Sequence, residues 1–459
     1  MHHTHEAEKL KTGGGRKRRA HAFTRLIRED MRISLGVTEP GAIALAASRA
    51  RSLVKGDIKL VRVEVNSGIY KNAFTCCLPN TRETGNLFAA ALGAVAGDWT
   101  RGLAALDGVT TQDAQTARSL VDAGKVKVDL REIGSELYIK ATVEGASDKS
   151  EVLILDSHAN IVEATLNGKA VFMKKNGGSG SGSEADAMGE VAKYTLSDFW
   201  NYANEVPLAE IEFIQEAYDA NLELAGEGAA ANGHTVICKE FIADNHGLLC
   251  SDDALASAQA MTAAAIEARV RGLGKPAMSI TGSGNHGIIC TMPLCALARA
   301  KNLPKEKLLR ATALSYLVTM YIKEYSGTLS AFCGCAIAAG TGAFVGWLFL
   351  SGGTLRQASL VIDNMASSLT GVICTGGNPA CVLKAAIAVD AGYKAVKLAL
   401  RDVAVESKHG INGLTPEKTM RNMGRIASPG MEQTEKTIVE IMREKEIGIA
   451  EKHKKRQNR

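Results

Sequence analysis

The sequence predicts an α+β N-terminal lobe with antiparallel strands, followed by a mainly α-helical C-terminal lobe. Three observations carry this. Short segments with apolar residues at alternate positions cluster between residues 58 and 173. A Gly/Ser-rich stretch, NGGSGSGSEADAMG at 176–189, has the composition of a flexible boundary. Beyond it the patterning is helical, interrupted by glycine-rich turns. The predicted divisions are a disordered tail at 1–20, an α+β lobe at 21–189, a helical lobe at 190–446 and a basic tail at 447–459.

Each element has a local reason. A helix is expected near 21–33. It is followed by SLGVTEPGAIALAAS at Ser34 to Ser48, which reads as a helix start. Thr38 or Glu39 can cap free N–H groups there, and Pro40 suits a first turn. IKLVRVEV at 58–65 alternates Val61, Val63 and Val65 with Arg62 and Glu64, as a strand does. SGIYKNAFTCCLPNTRETGN reads as a loop-rich connection, and LFAAALGAVAG as a helix. Strands follow at 126–130, 136–144, 151–155 and 160–173, with Asn167-Gly168 as a type I′ hairpin signal. Together these predict an antiparallel meander.

Composition narrows the function classes. A chain of 459 residues with 46% apolar and 22% charged content can bury a large core. Aromatics are only 5% against 46 glycines, so the core is built of small residues in closely approaching helices. The net charge of +5 sits largely in RKRR at 16–19 and EKHKKRQNR at 451–459, which read as solvated tails. No nucleic-acid partner is expected. No apolar secretory segment occurs in the first thirty residues. Ten cysteines then point to a reducing, cytoplasmic setting without disulfides. The uncharged stretch 326–354 is too rich in Gly, Ala, Ser and Thr for a membrane span and reads as a buried central helix.

Chemistry concentrates in a few motifs. Cys333 and Cys335 lie in SAFCGCAIAAG, and Cys374 and Cys381 flank TGGNPA. Such a turn frees backbone N–H groups and can fold one thiolate towards another, as iron–sulfur clusters need. Buried packing is the other reading of these cysteines, and the one given to Cys76, Cys77, Cys238, Cys250, Cys290 and Cys295. TGSGNHG at 281–287 can offer N–H groups, Ser283 and Asn285 to a carboxylate, or be a plain turn. SHANI places His158 and Asn160 at a strand edge, and Lys71-Asn72 lies in the loop after the first strand.

The motifs LGxTEPxAIALAA, KN followed by Pro79, HxNI, GSGNHGIxxTMP, LSAFCGCA, GVICTGGNPAC and MxQTxxxIxEIM occur in this order. Together, from about residue 25 to 446, they resemble the L-cysteine desulfidase family, related to the iron–sulfur serine dehydratases. The resemblance implies a [4Fe–4S] enzyme without pyridoxal phosphate that takes L-cysteine to pyruvate, ammonia and sulfide. It places cluster ligands on Cys333, Cys374 and Cys381, with Cys335 as the alternative ligand. It implies substrate contacts at Thr38, Ser67, Asn72, Asn160, Ser283, Gly284 and Asn285, to which Arg82 is added from its residue type alone. Its partners would be an amino acid and further copies of the chain in a homo-oligomer.

Two departures stand out. The family turn usually reads Gly-Cys-Thr-Glu-Pro, with its cysteine as base. Here Val37 takes that place, and an alkyl side chain cannot accept a proton. PNTRETG at 79–85 replaces a glycine-rich turn, and Arg82 there could read a carboxylate in a bidentate contact. The candidate bases become His158, Lys71 and Glu39. Imidazole is the side chain that titrates nearest neutral pH. A lyase on another β-substituted amino acid such as serine, and a ligand-binding homologue without a base, are the alternatives.

Overall fold

The computed structural model describes residues 20–134, 136–174 and 189–457, with side-chain surroundings to 446. The expected N-terminal tail and Gly/Ser linker lie outside the described residues, apart from their edges.

The N-terminal region runs α1 (20–30), β1 (Arg32–Ser34), α2 (Thr38–Arg51), β2 (Leu60–Asn66), α3 (Ser67–Ala73), α4 (Gly85–Ala96) and α5 (Thr111–Asp122). Five strands follow: β3 (Val126–Glu132), β4 (Tyr138–Glu144), β5 (Lys149–Leu155), β6 (Ile161–Leu166) and β7 (Lys169–Met173). With β2 they form one six-stranded sheet in the order β3-β2-β4-β5-β6-β7. β4 to β7 are the expected antiparallel meander. The type I′ turn holds too, with both Asn167 and Gly168 at positive φ. β3 runs parallel to β2, because the α3–α5 segment between them is a crossover rather than a hairpin.

Val61, Val63 and Val65 point to the face covered by helices and are fully buried. Arg62 points the other way and pairs with Asp129 across the parallel strands at 2.7 Å. α2 and α4 pack on the buried face so closely that a Cβ on Gly93 would stand 2.5 Å from the Ala44 carbonyl oxygen. This is how a core poor in aromatics is filled.

The C-terminal region continues with α6 (Leu196–Glu205), α7 (Leu208–Ile211), α8 (Gln215–Ala230), α9 (Ile237–Asp244), α10 (Ala254–Val270) and β8 (Ala277–Ser279). Then come α11 (Gly284–Ala300), α12 (Lys305–Ser326), α13 (Gly340–Leu350), α14 (Leu355–Leu369), α15 (Ala380–Ala399), α16 (Pro416–Ala427) and α17 (Glu432–Gln457). Alanine-rich α10 packs against α8, α9, α11 and α15.

Two expectations change here. The stretch 326–354 is not one helix: it is a loop, a π-turn at Cys335–Ala339, and then α13. The π-turn marks the place where the loop bearing Cys333 leaves helical geometry. The loop read after the first strand contains α3, too short for a visible 3.6-residue period. Among the described residues no helix is long and apolar enough to cross a membrane.

The two ends of the chain cross over. Phe23 and Ile27 of α1 join the helical core, and β1 pairs antiparallel with β8. Ile438, Val439 and Met442 of α17 join the core beneath the sheet. There the Lys71 ammonium meets the Glu435 carboxylate at 2.5 Å and donates to the Ser330 carbonyl at 3.0 Å. Lys71 is 1% exposed and Glu435 5%, so either charge alone would be stranded in a low-dielectric interior. Glu435→Leu is therefore expected to destabilise the chain by about 3–5 kcal/mol, as breaking a buried pair from one side does. Lys71→Met combined with Glu435→Leu should recover most of that loss in thermal unfolding. Equal loss in both proteins would refute the pair's importance.

Candidate active site

The site forms where the start of α2 meets the helical lobe. Glu39, in the first turn of α2, is buried. Its Oε1 accepts from the Asn72 amide at 2.8 Å and stands 3.7 Å from His158 Nε2, an ion-pair separation beyond hydrogen-bond reach. Burial alone would raise the Glu39 carboxyl. His158, the Asn72 amide and the Arg269 charge outweigh it and hold the group at about 2. His158 lies in the turn between β5 and β6. That turn is fixed by Asn160, whose amide donates to the Leu155 carbonyl at 3.0 Å and whose oxygen accepts from Lys174 at 2.6 Å.

Arg269, near the end of α10, is 3% exposed. One nitrogen donates to Asn285 Oδ1 at 2.9 Å and another to Thr38 Oγ1 at 3.0 Å. Its Nε has no partner among the described residues. Gly284 makes room for it: a Cβ there would lie 2.4 Å from Nε. The turn before α11 places Thr281 and Gly282 at positive φ. His158 Nδ1 lies 3.4 Å from where a Gly282 Cβ would be.

The four cysteines of the two motifs come together. Cys333 N–H donates to the Val372 carbonyl at 2.8 Å, and Cys374 N–H to the Ala331 carbonyl at 2.6 Å, across a Phe332–Ile373 bridge. The Cys374 thiol faces Asn72 Oδ1 at 3.6 Å, and the Cys381 thiol faces the Gly376 carbonyl at 3.4 Å. A hydrogen bond from Cys335 holds the Cys333 thiol below its ordinary value, while the same contact pushes Cys335 up. Burial pushes Cys381 up to about 12. Val37 seats its methyls on this turn, 2.8 Å from where a Gly377 Cβ would be.

Cations surround these thiols. Burial pushes the Lys323 ammonium down to about 8, against the opposing pull of Cys335, Cys374 and Cys333. Lys384 acts on Cys333 and donates to Thr375 Oγ1 at 2.7 Å. His286 hydrogen-bonds Thr281 Oγ1 through Nδ1 at 2.6 Å. Burial, then Lys323 and Arg269, hold it neutral, down at about 3.

No three His, Cys, Asp or Glu side chains among the described residues stand in the geometry of a single-ion site. A multi-iron cluster poses a different demand, because each thiolate ligates a different iron and the sulfurs stand well apart. Four thiols on two bridged loops, ringed by buried cations, are a donor set that fits such a group. The unpartnered Arg269 Nε beside them is a further polar atom without a protein acceptor.

Other expected residues fall elsewhere. The buried Ser67 hydroxyl accepts from Gly134 N–H at 3.1 Å, holding the loop between β3 and β4. Arg82 is exposed on its turn. Ser283 precedes α11 and makes no side-chain cap. A cleft of about 770 Å³ leads inward, lined by Asp30, His158, Thr281, Gly282 and Lys323 among others. The sequence patterns assign no role to Arg269, Lys323, His286 or Asp30. Arg269 could have been found as a cation in an alanine-rich helix; Lys323, beside Glu324 at the end of its helix, and Asp30 carry no such signal.

Residues 100–440 match the family described as serine dehydratase alpha chain. A UPF0597 protein of Clostridium botulinum is 40% identical over 423 residues, covering 91% of this chain and 97% of that one. Similar proteins occur in Caldanaerobacter subterraneus, at 36% over 427 residues (92% and 98%), and in Methanocella arvoryzae, at 35% over 419 residues (91% and 97%).

The depressed Glu39 carboxyl makes a pH prediction. A group held below its ordinary value stabilises the fold above that value, and the contribution is lost as pH falls through the folded one. The stability advantage of the native chain over Glu39→Gln should therefore shrink between about pH 4.5 and 2. Thermal unfolding of both proteins across that range checks it; a constant difference would refute the assignment.

Proposed function

The chain belongs to the serine dehydratase alpha chain family, whose members are iron–sulfur-dependent lyases, and on that premise we propose that it eliminates sulfide from L-cysteine. The observation that carries the reading is Asn72, which joins Glu39 at 2.8 Å to Cys374 at 3.6 Å. One amide thereby connects an acid–base pair with the cysteine nest. A [4Fe–4S] cluster on Cys333, Cys374 and Cys381 would supply Lewis acidity towards the leaving sulfur, with no pyridoxal phosphate.

The protein's own groups do the proton work. Glu39 beside Nε2 favours the His158 tautomer protonated there. Nδ1, next to Gly282, is then free to take the Cα proton, and the imidazolium is stabilised by the Glu39 carboxylate. Loss of the β-sulfur gives sulfide and aminoacrylate. Aminoacrylate tautomerises to an imine, which water converts to pyruvate and ammonia. Lys71 is committed to Glu435 and serves to position α3 and its Asn72. Val37 offers no lone pair, so the base role passes to His158.

Dehydration of L-serine is the second reading, favoured by the description of the matched family. Anaerobically reconstituted protein decides between them. Sulfide and pyruvate in equal amounts from L-cysteine support desulfidation, while pyruvate from L-serine alone supports dehydration. A full iron content with neither product points to Val37, and Val37→Cys then separates a disabled desulfidase, whose turnover returns, from an enzyme with another substrate, whose turnover does not.

Two variants test the assignments. His158→Asn should lower turnover by about 10²–10⁴-fold, the scale of a general base, with iron content unchanged. Unaltered turnover would remove it as the base. Joint replacement of Cys333, Cys374 and Cys381 should abolish iron binding, whereas joint replacement of Cys290 and Cys295 should not.

A further inference from the structure

We propose that the inner end of the cleft is a zwitterion site, in which Lys323 holds the α-carboxylate of the substrate and Asp30 its α-ammonium. This rests on the lyase reading for the identity of the substrate, but not on turnover.

The cleft is lined by charges of both signs, and most are engaged. Glu29 and Glu190 both pair with Arg25, and Glu324 accepts the Gly189 N–H. Arg32 donates to the carbonyls of Arg28 and Met31. Asp156 is exposed. Lys323 differs from all of these. It is 8% exposed, donates only to the Thr328 carbonyl at 3.3 Å, and forms no ion pair among the described residues. A buried ammonium with a single carbonyl partner is undersatisfied, since it has three N–H donors. Asp30 is half-buried. Its Oδ2 accepts the Thr281 N–H at 2.6 Å, and it too forms no ion pair among the described residues.

The two groups belong to one connected structure. Asp30 holds Thr281, and Thr281 Oγ1 is 2.6 Å from His286 Nδ1. His286 Nε2 and Lys323 Nζ lie 2.6 and 3.5 Å from one point, the position a Gly334 Cβ would occupy. Gly334 separates Cys333 from Cys335. Gly282, which follows Thr281, lies against His158 Nδ1. An amino acid held by its two charged ends between Asp30 and Lys323 would thus present its Cα to His158 and its β-substituent to the cysteine nest. Lys323 lines the cleft and Arg269 does not, and two of the Arg269 nitrogens are bonded to Thr38 and Asn285. The cleft volume exceeds what cysteine needs, which leaves room for water or for a larger β-substituent.

The test is calorimetric binding to the iron-loaded protein without turnover. L-alanine is the probe with both charges and no leaving group; propionate has the carboxylate alone. The wild type should bind L-alanine. Asp30→Asn should weaken L-alanine at least tenfold and leave propionate unchanged. Lys323→Met should weaken both at least tenfold, and Lys323→Arg should restore part of the affinity. Iron content and thermal midpoint, measured on each sample, separate loss of the site from loss of the fold. Should Lys323→Met lose its iron, Lys323→Arg and Asp30→Asn still decide. Absence of L-alanine binding by the wild type, or variants that bind both probes as it does, would overturn the proposal. If L-alanine binds as expected while neither cysteine nor serine turns over, the zwitterion site stands and the lyase reading falls.

Discussion

The buried guanidinium of Arg269 is the constraint on which the site depends. Arginine stays charged in protein interiors, so burying it demands acceptors from whatever surrounds it. Its neighbours along α10 are largely alanines, which offer none. The acceptors come from two distant segments, Thr38 at the head of α2 and Asn285 at the head of α11. Satisfying one cation therefore fixes the sheet lobe against the helical lobe at the point where their helix starts meet. The missing side chain at Gly284 is a steric condition of the same arrangement.

From that point the electrostatics follow. Arg269 and His158 keep Glu39 ionised in a buried place where a carboxyl would otherwise hold its proton. Glu39 in turn orders Asn72, which reaches Cys374. The thiols face the opposite problem: burial favours their neutral form, as Cys381 shows, unless a donor or a cation stabilises the thiolate. Lys323, Lys384 and Arg269 supply positive charge around them. Thiolate ligands would offset part of this positive charge, and binding of iron would release thiol protons. The cysteine nest and its cations are thus complementary charges at close quarters.

The sequence disclosed those parts whose signals are local. Alternating valines located β2, Asn167-Gly168 located a hairpin, and the Gly/Pro turn between Cys374 and Cys381 pointed to folded-back thiols. What stayed hidden was non-local. The parallel β2–β3 pairing depends on a crossover whose short helix α3 has no legible period. The exchange of ends, with α1 packing in the helical core and α17 beneath the sheet, has no pattern in either segment. Arg269 bonds to residues far from it in sequence, so only its odd placement in an alanine-rich helix could have drawn notice. Arg82, attractive as a carboxylate reader by residue type, stands exposed, because its turn is anchored by backbone bonds such as Leu78 N–H to the Glu83 carbonyl.

Val37 bears on more than the missing base. It is the residue before α2 and provides no side-chain cap. Ser283 before α11 and Pro379 before α15 provide none either. Elsewhere, α5, α6, α14 and α16 start at Thr110, Thr195, Thr354 and Thr415, whose hydroxyls accept N–H groups of the first turn. Helices α8, α9 and α12 also lack caps, so the lack alone does not mark a site. What distinguishes α2, α11 and α15 is convergence. The first two meet at Arg269, and the third carries Cys381 one residue into its first turn. Their dipoles add positive potential in the same volume as Arg269 and Lys323, although the first N–H of α15 is already taken by Asn378 Oδ1 at 2.9 Å. A polar side chain at position 37 would be drawn to cap α2 and would compete with an anion for those donors. Valine takes no such part, so the change that removes a proton acceptor adds no cap at the head of α2, where Glu39 is the acidic group of the first turn.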